Sequence, residues 1–123
     1  MIQVILVLNK IECLDTLISE FMKNGISGGT ILDSHGMVRT ARDFNDNPLF
    51  DMLREMFDLD SGNASKVIFM IAEESQVRSI SEIANRVTGG LQNPNTGILF
   101  CTPVIYIEGL RKNKTQGKDA EAE

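Results

Sequence analysis

Apolar residues fill six of the seven positions of Ile2-Gln3-Val4-Ile5-Leu6-Val7-Leu8. Strict alternation would mark a strand with one wet face, whereas a near-continuous run marks a strand covered on both faces. Val67-Ile68-Phe69-Met70-Ile71 and Ile98-Leu99-Phe100-Cys101 have the same character. Between these runs the period changes. Leu14, Leu17, Ile18, Phe21 and Met22 recur as the stripe of a helix with one buried face. Asn24-Gly25 supplies its left-handed stop. Val77, Ile80, Ala84 and Val87 make a second stripe, with Ser75 as the expected N-cap and Thr88-Gly89-Gly90 as the end.

The order is therefore strand, helix, strand, then strand, helix, strand. The strands are read at 2–8, in the segment 24–36, at 66–72 and at 97–101, with the helices between them. This predicts an α+β domain, a split βαβ sandwich in which one sheet carries both helices on one face. The domain is expected to span 1–110 and the polar stretch 111–123 to be a disordered tail.

Such a sandwich has a burial problem. Two helices cover one face of the sheet, yet the strands are apolar on both. A large exposed apolar face is not tolerated in a soluble monomer. Self-association around a symmetry axis would cover it. An extra helix folding beneath the sheet is the alternative. A helix of about a dozen residues covers little of a four-stranded sheet, which favours the cyclic oligomer.

The extra helix belongs to the long connection 37–65 between the second and third strands. Connections of this length are uncommon in compact domains and tend to be functional. Asn47-Pro48 marks a helix start. Leu49, Met52, Leu53 and Met56 then form a stripe with Phe50 and Phe57 beside it, before Asp60-Ser61-Gly62-Asn63 breaks it. A short helix is expected over about 48–59. It either packs on its own body or presents Leu49, Phe50 and Leu53, with Phe44 ahead of them, to a partner protein.

Composition narrows the function. A net charge of −5 argues against nucleic acid as the main partner, since phosphate binding needs clustered cations. There is no apolar run long enough for a membrane span. Met1-Ile2-Gln3 lacks the basic start of a secretory signal. Cys13 and Cys101 have no metal-ligand spacing. They are expected to be reduced structural thiols in a cytoplasmic protein, with Cys101 a small core residue in its strand.

The segment Asn24-Gly25-Ile26-Ser27-Gly28-Gly29-Thr30-Ile31, leading to Gly36 and Arg39, resembles the nitrogen-regulatory PII signal-transduction family. Thr96-Gly97-Ile98-Leu99-Phe100, leading to Pro103-Val104, resembles it too. The resemblance covers most of residues 1–110 and is absent from the insertion. It implies a ferredoxin-like fold, a homotrimer and adenine-nucleotide clefts between subunits. The clefts would be bounded by the loop after the second strand (the T-loop, here 37–65), the loop before the fourth strand (the B-loop) and the C-terminal strand. The T-loop of such proteins reshapes with nucleotide and docks onto a membrane transporter or an enzyme.

Carried over residue by residue, the resemblance implies nucleotide contacts from Thr30, Gly36, Arg39, Gly89, Gly90, Thr96 and Gly97. Glycine lets backbone approach phosphate, and an arginine fork pairs with phosphate oxygens. The glycine-rich loop 89–97 can form an anion-binding nest. Each also has a plainer reading: Thr30 as a β-branched strand residue, Arg39 as a solvated cation, the loop as a simple turn. The family's lysine in this loop corresponds to Gly97, and its arginines on the last strand correspond roughly to Glu108 and Leu110. A carboxylate at Glu108 would repel a polyphosphate. The nearest substitute cations are Arg111 and Lys112. Tight ATP binding of the ordinary kind is therefore not expected, and AMP, ADP, an uncharged adenine derivative or no nucleotide all remain open. Tyr106 is the one tyrosine, so modification of a tyrosine in the insertion is not expected.

The leading expectation is a non-enzymatic sensor in which a small ligand orders the insertion and the insertion controls a partner. An alternative is a trimer similar to the CutA cation-tolerance family, resting on His35 beside Asp33. One histidine is little for a metal site, and no metal is expected. No nucleophile–base pair is visible, so no catalysis is expected.

Overall fold

The computed structural model describes residues 1–37, 48–49, 52 and 65–110. Its elements are β1 (Ile2–Leu8), α1 (Leu14–Lys23), β2 (Gly29–Ser34), β3 (Ser65–Ala72), α2 (Val77–Thr88) and β4 (Gly97–Pro103). Short 3-10 turns at Ile11–Cys13 and Glu74–Gln76 lead into the two helices. The strands form one four-stranded sheet in the order β2-β3-β1-β4, with each neighbouring pair antiparallel. This is the βαββαβ ferredoxin-like fold of the α+β class.

Helix ends explain where the chain turns. Gly25, at φ 80, closes α1 in a Schellman motif: the amide of Ile26 donates to Phe21 O at 2.9 Å and that of Gly25 to Met22 O at 3.1 Å. Ile26 and Phe21 are both buried, which supplies the apolar contact of that motif. At the start of α2 the cap is not Ser75. Glu73 and Gln76 form a reciprocal capping box around the 3-10 turn, one residue pair outside the expected position. Ser75 lies inside that turn, where its side chain makes no cap.

The core lies between the helices and one face of the sheet. Val4, Leu6 and Leu8 of β1, Ile68, Met70 and Ala72 of β3, Leu17 and Phe21 of α1, and Ile80, Ile83 and Ala84 of α2 form one buried cluster. Each large aliphatic side chain so buried contributes roughly 1.5–3 kcal/mol relative to exposure. Across the helices, Arg86 reaches Glu20 at 3.0 Å, and Lys23 lies 3.4 Å from the same carboxylate. Hydrogen bonds from these cations hold Glu20 below its ordinary pKa. The group is exposed, so it adds little to stability.

The opposite face of the sheet is apolar as well. Ile5 stands opposite Phe69 and Phe100, and Val7 opposite Val67 and Ile98. Ile98 is 61% exposed, Leu32 48% and Phe100 45%. Among the described residues both helices pack on the other side. Cys101 departs from expectation: it is exposed. It shares the face of Val4, but β4 is an edge strand and the helix cover stops short of it.

Pro48, Leu49 and Met52 have helical backbone, and Leu49 and Met52 are about half exposed. The rest of the helix expected over 48–59, with Phe44, Phe50 and Leu53, lies outside the described residues, as do Arg39 and the tail 111–123.

Leu6→Ala, which empties the centre of the cluster, should lower stability by about 2–5 kcal/mol in urea denaturation at fixed protein concentration. Glu20→Ala should barely move the same midpoint. Equal effects would contradict this division between core and surface.

Candidate functional site

A single row of residues crosses the sheet near one end. Gly97 pairs with Leu8, Leu8 with Lys66, and Lys66 with Asp33. The segment that follows β2, with His35 and Gly36, therefore leaves the sheet at the same end as the loop 89–96 that enters β4. They leave it at opposite edges, because β2 and β4 are the two outer strands. Three inter-strand spacings put the edges about 14 Å apart. The residues marked out as a nucleotide site thus fall into two halves. Thr30 and Gly36 belong to the β2 edge; Gly89, Gly90, Thr96 and Gly97 belong to the β4 edge. Arg39 lies outside the described residues. Thr30 is also displaced along its strand, opposite Phe69, and lies exposed on the open face of the sheet.

The β4 half is tightly built. Gly89 ends α2 in the left-handed conformation at φ 89, and Gly90 follows at φ 121. The amide of Leu91 donates to Asn85 Oδ1 at 2.8 Å and that of Asn93 to Gly90 O at 3.1 Å. The Asn93 side-chain amide donates to Gly89 O at 3.0 Å. The amides of Leu91 and Asn93 are thus engaged within the loop. Thr96 is buried, and its carbonyl accepts from the amides of Asn9 and Lys10 at 3.0 and 3.2 Å. That bond pins the loop to the end of β1.

Gly97 has a packing reason of its own. A Cβ there would lie 2.5 Å from the carbonyl oxygen of Val7, a backbone atom that cannot step aside. No side chain of any kind fits. The lysine that the family resemblance implies at this position is excluded by the way β4 approaches β1.

A cation does reach the loop from elsewhere. Lys10 Nζ donates to Thr88 O at 2.9 Å, partly buried, across 78 residues of sequence. The same Nζ would lie 3.9 Å from a Cβ on Gly89. It sits at the C-terminus of α2, where the exposed carbonyls favour positive charge. Sequence reading missed Lys10 as a site residue, because nothing local distinguishes it from any lysine that follows a strand.

The β2 half is more open. A Cβ on Gly36 would meet nothing within 4 Å. Asp33 is ion-paired with Lys66 on β3. The Lys66 hydrogen bond, then its charge, holds the Asp33 carboxyl below the usual range. Ser34 Oγ donates to Ser65 Oγ at 3.1 Å and ties the strands at the same end.

Among the described residues, no three of His, Cys, Asp and Glu converge to hold a metal ion. His35 has Asp33 beside it, but that carboxylate is taken by Lys66. Cys13 Sγ donates to Val87 O at 3.6 Å. Glu108 accepts a hydrogen bond from the Tyr106 hydroxyl, which raises the tyrosine pKa. Among the described residues no helix is long and apolar enough to cross a membrane.

No protein-family model matches the chain. No curated protein matches it either. Solved structures do, 142 chains in all, so the architecture is widely shared and carries no function by itself. One is the crystal structure of a functionally unknown protein from Pediococcus pentosaceus ATCC 25745. It is 12% identical, with a TM-score of 0.57 over 89% of this chain and 96% of that one. At this identity the likeness shows the ferredoxin-like fold alone.

Gly97→Ala should destabilise the protein well beyond an ordinary exposed substitution, and Gly97→Lys at least as much. A thermal melt unchanged by either would contradict the close approach to Val7. Lys66→Met should raise the Asp33 pKa toward its ordinary value, as followed by NMR titration. In the native chain the folded pKa is the lower one. The contribution of this ion pair is therefore present above the unfolded carboxylate pKa and lost as pH falls through the depressed value.

Proposed function

We propose that this chain is a PII-like signal-transduction protein. It acts as a homotrimer that senses an adenine nucleotide between subunits and controls a membrane transporter or an enzyme through the segment 37–65. The observation that carries the reading is the split site. The β2 half and the β4 half leave the same end of the sheet at opposite edges. Within one protomer the strands that carry them are about 14 Å apart. Two protomers set edge to edge bring them together, with the β4 edge of one beside the β2 edge of the next. The apolar open face supports the same reading, since closing a ring buries it.

In this reading Gly89 and Gly90 give the ligand close backbone access on one side, and Gly36 and Arg39 bound it on the other. Thr30, on the open face, borders the cleft. Lys10 supplies the positive charge that Gly97 cannot. With Lys10 as its cation, the cleft favours AMP or ADP over ATP, because each added phosphate brings charge that must be matched. Ligand contacts with the start of the insertion would bias its conformation, and Leu49, Phe50, Leu53 and Phe44 would form the docking surface. A ligand moves that equilibrium only by its difference in affinity for the two states.

Calorimetric titration of AMP, ADP, ATP and cyclic dinucleotides into the full chain tests the proposal. Binding of an adenine ligand is expected, and Lys10→Met should raise its Kd about tenfold or more while the circular dichroism spectrum is kept. No heat with any adenine ligand would refute the sensor reading.

A further inference from the structure

Asn24-Gly25 is the one Asn-Gly pair in the chain. In a polypeptide the backbone nitrogen that follows an asparagine can attack the side-chain amide, and glycine hinders that attack least because it has no Cβ. Asparagine counts among the thermolabile residues for this reason. Asn24 is exposed at the end of α1. A Cβ on Gly25 would meet nothing within 4 Å, so the turn lies open to water.

The native turn nevertheless holds the reacting atoms apart. Ring closure needs the Gly25 nitrogen rotated toward Asn24 Cβ about the Cα–C bond. Asn24 has ψ 19, which turns that nitrogen toward the residue's own amide instead. The Gly25 N–H donates to Met22 O at 3.1 Å, and Asn24 Nδ2 donates to Glu20 O at 2.8 Å. The amide of Ile26 donates to Phe21 O at 2.9 Å and seals the cap, with both side chains buried. Closure therefore requires the last turn of α1 to unlatch, a local opening well short of global unfolding.

We propose that Asn24 is a deamidation site gated by opening of the α1 cap, and that its product leaves the cap weakened. In the opened turn the Gly25 nitrogen gives up its proton and bonds to Asn24 Cγ. The Cγ–Nδ2 bond breaks, and Nδ2 leaves with that proton as ammonia. Water then opens the five-membered imide at either carbonyl, giving aspartate or isoaspartate, and no oxidant or reductant takes part. The new carboxylate cannot donate to Glu20 O as the amide does. It also sets negative charge at the negative end of the helix. The isoaspartate form adds a methylene to the backbone between α1 and β2. No residue of the proposed cleft takes part.

The test holds the full chain at mildly alkaline pH, either folded or in urea above its unfolding midpoint. Peptide mapping by mass spectrometry follows Asn24, and isoaspartyl methyltransferase scores isoaspartate. In urea Asn24 should convert faster than Asn9, Asn85 and Asn95, which precede bulkier residues. The folded chain should convert at least about tenfold more slowly, by a factor that matches the hydrogen-exchange protection of the Gly25 and Ile26 amides. Ile26→Ala, with its circular dichroism spectrum kept, should speed conversion of the folded chain severalfold and leave the rate in urea alone. Asn24→Asp should lower the melting temperature. No conversion at Asn24 in urea overturns the site. Equal rates folded and in urea overturn the gate, as does a slowing that departs from the amide protection by more than about tenfold, a comparison that needs no variant. A melt unchanged by Asn24→Asp overturns the weakened cap.

Discussion

β1 sends Val4, Leu6 and Leu8 toward the helices and Ile5 and Val7 away from them. Burial on both faces is the constraint on which the rest depends. The helix side is closed by side chains from α1 and α2 with no exposure at Leu6, Leu8, Leu17 or Ile80. The far side places Ile98, Phe100 and Leu32 in contact with solvent. The hydrophobic effect scales with apolar area removed from water. A second cover for the sheet is therefore worth several side chains' burial.

The same sheet order that makes the core also divides the candidate site. With β2 and β4 on the outside, the glycine turn after α2 and the segment after β2 share an end but not an edge. Closely packed backbone fixes the chemistry of the first of these. Gly97 gives up any side chain to let β4 lie against Val7, and Lys10 is held by the Thr88 carbonyl at the end of α2. The charge available to a ligand is thus set by a packing requirement and by a residue far away in sequence.

Much of the fold was legible because its signals are local and periodic. The continuous run Ile2–Leu8 became a central strand, and the stripe from Leu14 to Met22 became α1, stopped at Gly25. What depends on neighbours was not legible. Cys101 reads as core because its strand is apolar, yet its place at the sheet edge exposes it. Ser75 has the right chemistry for a cap, but Glu73, two residues earlier, is capped reciprocally with Gln76. Of the site, the glycines were visible as turn residues. The clash that makes Gly97 obligatory and the reach of Lys10 arise from strand pairing and helix position, which no single window of sequence records.

Sedimentation velocity of the unmodified chain across the micromolar range tests the two-faced sheet most directly. A concentration-linked species of three 13.6-kDa protomers is the predicted result. A lone 13.6-kDa particle that stays soluble throughout would contradict the account, because its second apolar face would then be stable in water.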